Sequence, residues 1–205
     1  MLVVSEPAPH FKAHFHHHYA FKKHGATRLH YDLRLAWNGV LKSWALPMGP
    51  SCRPGEEREA IQVPDHNRTH IGFEGLIPKP RYGAGIVMLW DCGVWAPQPE
   101  YLDVDAALRN GYLGLTLVGR KLKGNWSLVR RDGGGQKKPV WLFAKDPDSF
   151  ARSGQDADIL EEAPNSALTG KSLEEIEWAW NNSKAKGTVG PALFEFAYPA
   201  RDKSS

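Results

Sequence analysis

The sequence predicts a mainly β domain, an antiparallel barrel or sandwich with few helices. Three observations carry this. An Asn38-Gly39 pair sits between two alternating runs, and further short runs rich in β-branched and aromatic residues recur to about residue 145. Gly- and Pro-rich segments such as Pro78-Lys79-Pro80-Arg81-Tyr82-Gly83 separate them. A chain of 205 residues, 41% apolar and 24% charged, can bury one sizeable core, and this composition excludes a disordered or collagen-like chain.

The elements follow in order. Leu29, Tyr31, Leu33, Leu35 and Trp37 alternate with His30, Asp32, Arg34 and Ala36, the period of a strand. Val40–Leu46 is the returning strand, because Asn-Gly tolerates the positive φ that a two-residue hairpin turn needs. Further strands are expected at 59–63, 70–73, 85–90, 112–118, 125–130 and 139–144, with Trp90 and Trp95 flanking Asp91-Cys92-Gly93 as hairpin core. Residues 103–110 read as a short helix stopped by Gly111. Beyond about 146 the composition turns small, polar and acidic. There Ser172-Leu173-Glu174-Glu175 is a capping-box pattern for a helix at about 172–182, with Leu173, Ile176 and Trp180 on one face. The expected organisation is an N-terminal arm over 1–18, a barrel core over 19–145 and a C-terminal extension over 146–205.

Charge and cysteine content narrow the class. A formal net charge of +3 does not by itself imply nucleic acid, so any substrate must be argued from local clusters. Cys52 and Cys92 are too few for a disulfide framework or a zinc ribbon and read as reduced. Without a membrane-length apolar run or an export-type start, the chain reads as cytoplasmic. The tract at His14 and His16-His17-His18 reads as an exposed segment, and Arg120-Lys121 with Lys123 as a solvated basic turn.

Chemistry concentrates on the first hairpin. His30, Asp32 and Arg34 share one strand face at steps of ~6.6–6.8 Å. The turn sets Arg34 opposite Ser43 and Asp32 opposite Ala45, small neighbours that leave room, while Tyr31, Leu33, Leu35, Trp44 and Leu46 form the apolar face. His24 lies six residues before His30, across a connection able to fold back. Two imidazoles and a carboxylate suit a divalent transition metal, and Arg34 beside it supplies planar donors for an anionic oxygen group. The charged face is expected to open into the barrel.

These residues also carry a resemblance. The blocks His24-Gly25-Ala26-Thr27-Arg28-Leu29-His30-Tyr31-Asp32-Leu33-Arg34, Lys42-Ser43-Trp44-Ala45-Leu46-Pro47, Val63-Pro64-Asp65-His66, Phe73-Glu74-Gly75-Leu76-Ile77-Pro78 and Tyr82-Gly83-Ala84-Gly85 are similar, in order, to the 3′-phosphoesterase domain of bacterial DNA ligase D. The resemblance continues through Leu89-Trp90-Asp91, 119–130 and Trp141-Leu142, and again over 166–176. It implies a compact antiparallel β-barrel with a few short flanking helices. It also implies a manganese-dependent enzyme that removes a terminal ribonucleoside and then a 3′-phosphate from DNA or RNA–DNA primer-templates, with zinc or another divalent metal as alternatives. Ligase and polymerase components of an end-joining system are the implied partners, and no membrane is involved. The family's metal ligands fall on His24, His30 and Asp32, and its phosphate contacts on Arg34, Arg58 and His66. His66, when protonated, is expected to donate to the transition state or to the leaving oxygen.

The chain departs from the family at Met48, where a lysine is usual, at His70 for a tyrosine and at Lys22 for a glutamine. The family's N-terminal Arg-Asp pair has no counterpart, though Glu6 stands for a nearby glutamate. Lys22, His70 and Glu6 are therefore the expected outer substrate contacts. Two other readings compete: a weakened domain of this family that only grips DNA ends, and a non-haem iron oxygenase built on the same two-His, one-carboxylate set.

Overall fold

A computed structural model describes residues 17–131, 138–156 and 158–185. Nine strands form one antiparallel sheet: β1 (His17–Gly25), β2 (Leu29–Trp37), β3 (Val40–Leu46), β4 (Arg58–Asn67), β5 (Gly75–Ile77), β6 (Gly85–Pro97), β7 (Tyr112–Gly119), β8 (Lys123–Arg130) and β9 (Val140–Lys145). Their order is β1-β2-β3-β4-β9-β8-β7-β6-β5, and pairing of β1 with β6 closes eight of them into a barrel. β5 adds to the first half of β6, ahead of the stretch that pairs with β7. Closure removes the exposed edges that an open sheet of this size would present. The expected barrel is present.

The hairpin forms as its sequence dictates. Asn38 and Gly39 take φ of 44° and 83°, and Arg34 faces Ser43 while Asp32 faces Ala45. The apolar face of this hairpin joins Phe21, Met88, Trp90, Trp95, Trp126 and Phe143 in one buried cluster. Helix α1 (Val104–Asn110) starts where Asp103 accepts from the Ala106 N–H (2.9 Å) and ends at left-handed Gly111. α2 is Ile159–Glu162 and α3 is Leu173–Ala185, longer at its C-terminus than expected. The capping box is reciprocal, since Ser172 Oγ accepts from Glu175 N (3.2 Å) and the Glu175 carboxylate from Ser172 N (2.7 Å). No helix among the described residues is long and apolar enough to cross a membrane.

Four expectations need correction. Residues 70–73 are not a strand, because Asn67 caps a 3-10 turn at Arg68–His70 by accepting from Thr69 N (3.0 Å), and pairing resumes only at Gly75. Asp91-Cys92-Gly93 is not a turn: β6 runs through it with a bulge opposite Phe21 and Lys22. The buried Asp91 is satisfied by Tyr19 Oη (2.7 Å), Lys121 N (2.9 Å) and Leu122 N (3.0 Å), so a carboxylate that looks like turn chemistry is a barrel crosslink. His17 and His18 are half-buried at the start of β1, the His17 ring packing on Trp37 and Trp95, while His14 and His16 lie outside the described residues. Lys121 is not merely solvated: it donates to the Ala163 and Asn165 carbonyls (2.8 and 2.5 Å) above Trp90.

Candidate metal centre

Pairing of β1 with β2 sets His24 opposite His30, Lys22 opposite Asp32 and Ala20 opposite Arg34. Strand alternation turns this polar row away from the face that carries Phe21, Leu33 and Trp44, which fill the core. The charged face is therefore outside the barrel rather than opening into it. The connection from β4 to β6 lies over it, so that His24, Asp32 and Arg34 are nonetheless buried.

One ligand atom from each of His24, His30 and Asp32 lies within 4.8 Å of the others. His24 Nδ1 is 3.5 Å and His30 Nε2 3.8 Å from Asp32 Oδ2. The far nitrogen of each ring is committed: His24 Nε2 donates to the Gly83 carbonyl and His30 Nδ1 to the Arg28 carbonyl, both at 3.0 Å. In the neutral rings this leaves two imidazole lone pairs and a carboxylate oxygen facing one another. Such an arrangement repels itself unless a cation or a proton lies between, and backbone carbonyls fixing the rings are the usual support of metal-bound histidines. The donor set thus fits a divalent transition metal.

The other Asp32 oxygen meets Arg34 Nη2 at 3.3 Å. Burial pushes the Asp32 carboxyl upward, but His24, Arg34 and His30 together outweigh it and hold the group below its ordinary value. Arg34 Nη1 donates to His66 Nδ1 (3.3 Å). Burial and the adjacent Arg34 charge hold His66 below its ordinary value.

The remaining expected contacts divide. Lys22 is buried, and its ammonium donates to the His70 and Phe73 carbonyls (2.9 Å to the latter) and sits over the Phe73 ring. It is therefore turned to the protein, not outward to substrate. Burial, with the Arg34 charge, brings it down to about 7. His70 is exposed at the end of the 3-10 turn that Lys22 holds. Arg58 begins β4 with Nη2 paired to Glu56 (3.0 Å), and alternation along β4 puts its Cβ on the face of buried Ala60, opposite that of Val63 beside Ser43. Met48 is 66% exposed. Glu6 lies outside the described residues. Composition gave no sign of the Gly83 and Arg28 carbonyls, since a backbone oxygen has no residue type.

The family model described as the DNA ligase D 3′-phosphoesterase domain matches residues 22–130. The chain is 44% identical over 155 residues to the multifunctional non-homologous end joining protein LigD of Pseudomonas aeruginosa, covering 76% of this chain and 18% of that protein. It is 38% identical over 119 residues to the protein of the same name from Mycolicibacterium smegmatis, covering 56% of this chain and 16% of that one. The multifunctional non-homologous end joining DNA repair protein LigD of Mycobacterium tuberculosis is 35% identical over 115 residues, 56% of this chain and 15% of its own length. The chain thus spans less than a fifth of each of these relatives.

Proposed function

The chain belongs to the DNA ligase D 3′-phosphoesterase domain family, and from that membership we propose that it trims the 3′ ends of DNA or of RNA–DNA primer-templates in end repair. The reaction is metal-dependent hydrolysis that removes a terminal ribonucleoside and then the 3′-phosphate, leaving a hydroxyl. The observation that carries it is the meeting of His24, His30 and Asp32, with Arg34 and His66 at their side. Manganese is the proposed ion, with zinc as the alternative. When bound, such an ion supplies positive charge to the phosphoryl oxygens and polarises the ester.

The protein's own groups do the rest. Arg34, buried and fixed by Asp32 and His66, presents guanidinium N–H groups to the phosphate, where preorganised donors stabilise charge that develops in the transition state. His66, beside Arg34, is the group that when protonated donates to the transition state or to the leaving oxygen. Lys22 holds the 70–73 turn, and so His70, over the site. Ligase and polymerase components of an end-joining system are the proposed partners.

The test is a divalent-metal panel on primers ending in a 3′-phosphate or a ribonucleotide, with product ends read by ligation. The expected result is manganese-dependent release of phosphate by the wild type, abolished by His30→Ala. Arg34→Ala should lose ~100–1,000-fold in kcat while still binding metal. End binding without turnover in any metal would contradict the reading and leave only a DNA-gripping domain. Turnover that survives His30→Ala would remove the metal role.

A further inference from the structure

Beside the candidate metal centre the chain makes an outward-facing loop. Pro78–Tyr82 are all exposed, and Tyr82, 87% exposed, is the most open large apolar or aromatic side chain among the described residues. Two successive turns brace the loop, Arg81 N donating to the Pro78 carbonyl and Ala84 N to the Arg81 carbonyl, each at 3.1 Å. Its far end is pinned to β1 at Gly85, where a Cβ would come within 2.4 Å of the Gly25 carbonyl, so only glycine permits this approach. The residue after Tyr82 is Gly83, whose carbonyl fixes His24. An unpacked aromatic ring is thus held, at the cost of exposure, next to the centre that would receive a terminal phosphate. Lys79 and Arg81 flank it, exposed, and among the described residues neither is held in an ion pair.

We propose that the 78–83 loop is a nucleotide-stacking platform, on which the Tyr82 ring takes the face of a base at the 3′ end while Lys79 and Arg81 meet the adjoining backbone phosphates. The inference rests on the 3′-end reading above and names the surface that receives the nucleotide. Stacking of a base on an aromatic side chain is tolerant of base identity, as an end-trimming enzyme requires, and contributes ~1–3 kcal/mol per base. The flanking cations add a salt-dependent grip on the backbone.

The experiment uses a 5′-fluorescein primer–template ending in a 3′-phosphate, with versions abasic at either of the last two primer positions. Kd is read by anisotropy without divalent metal, and KM with manganese. Tyr82→Ala should raise both by about 5–150-fold, the equivalent of one lost stack, and Tyr82→Trp should restore binding. At one of the two positions the abasic primer should cost the wild type a similar factor and cost Tyr82→Ala nothing more. Lys79→Ala with Arg81→Ala should flatten the salt dependence of Kd. Kd for Tyr82→Ala within twofold of wild type, or an abasic loss that adds in full to the substitution, would overturn the platform. The two readings fail separately: coupling between Tyr82 and a base without any turnover sinks the phosphoesterase reading alone, and turnover without coupling sinks the platform alone.

Discussion

Asp32 divides its carboxylate between two tasks, one oxygen turned to the imidazoles of His24 and His30 and the other to the Arg34 guanidinium. This part of the site was legible in the sequence, because strand period and a two-residue turn fix which side chains share a face. The inward turn of Lys22 was not, since residue type and family position say nothing of where a long side chain ends. With Arg34 bonded to His66 and Arg58 to Glu56, Arg34→Ala should cost far more kcat than Arg58→Ala when both are assayed on a 3′-phosphate primer. Equal losses would place Arg58 back at the phosphate. Arg34→Lys should not rescue, because one ammonium cannot serve Asp32, His66 and a phosphate as the planar guanidinium does.

At the scale of elements, the segment from His66 to Ile77 acts as a strap over the site, held at both ends. Lys22 takes its carbonyls at 70 and 73, and Glu74 accepts from Leu89 N (2.9 Å), Ser166 Oγ (2.6 Å) and Thr169 Oγ1 (2.7 Å). The 166–169 segment therefore braces the strap, and Trp180 of α3 packs against Gly75 behind it. Sequence pattern misread residues 70–73 as a strand because β-type side chains there pack under a turn whose geometry is set by Asn67 and by a lysine from β1. It misread Asp91-Cys92-Gly93 for the complementary reason, that turn-forming residues here continue a paired strand next to a bulge at Trp90. Glu74→Ala leaves several donors unmatched and should cost ~2–3 kcal/mol, lowering Tm by roughly 5–10 °C. Hydrogen exchange should quicken first across residues 70–77, and uniform exchange with an unchanged Tm would contradict the brace.

For the molecule as a whole, barrel closure and the segments packed on it bury both cysteines, Cys52 in the main core and Cys92 on the outer face of β6 beside Ala167 and Leu168, and so fix their chemistry. Burial pushes the Cys52 and Cys92 thiols up to about 11. The native protein should therefore react slowly with a thiol reagent at pH 8 and release two equivalents on denaturation. Because the folded state favours the protonated thiols, their contribution to stability is complete below the unfolded value near 9 and declines as pH rises towards 11. Denaturant midpoints that stay flat from pH 8 to 11 would contradict this. The same closure, by pairing β1 with both β2 and β6, brings His24 against His30 on one side and the loop of Gly83 on the other. The most direct test of the account is a manganese titration followed by the electron paramagnetic resonance signal of the free ion, run on the wild type, His24→Ala and Asp32→Ala. It should give one tightly held ion per chain, with affinity falling by more than ~100-fold when either ligand is removed. Wild-type protein that takes up no manganese, or variants that bind it as the wild type does, would contradict the centre on which the function is built.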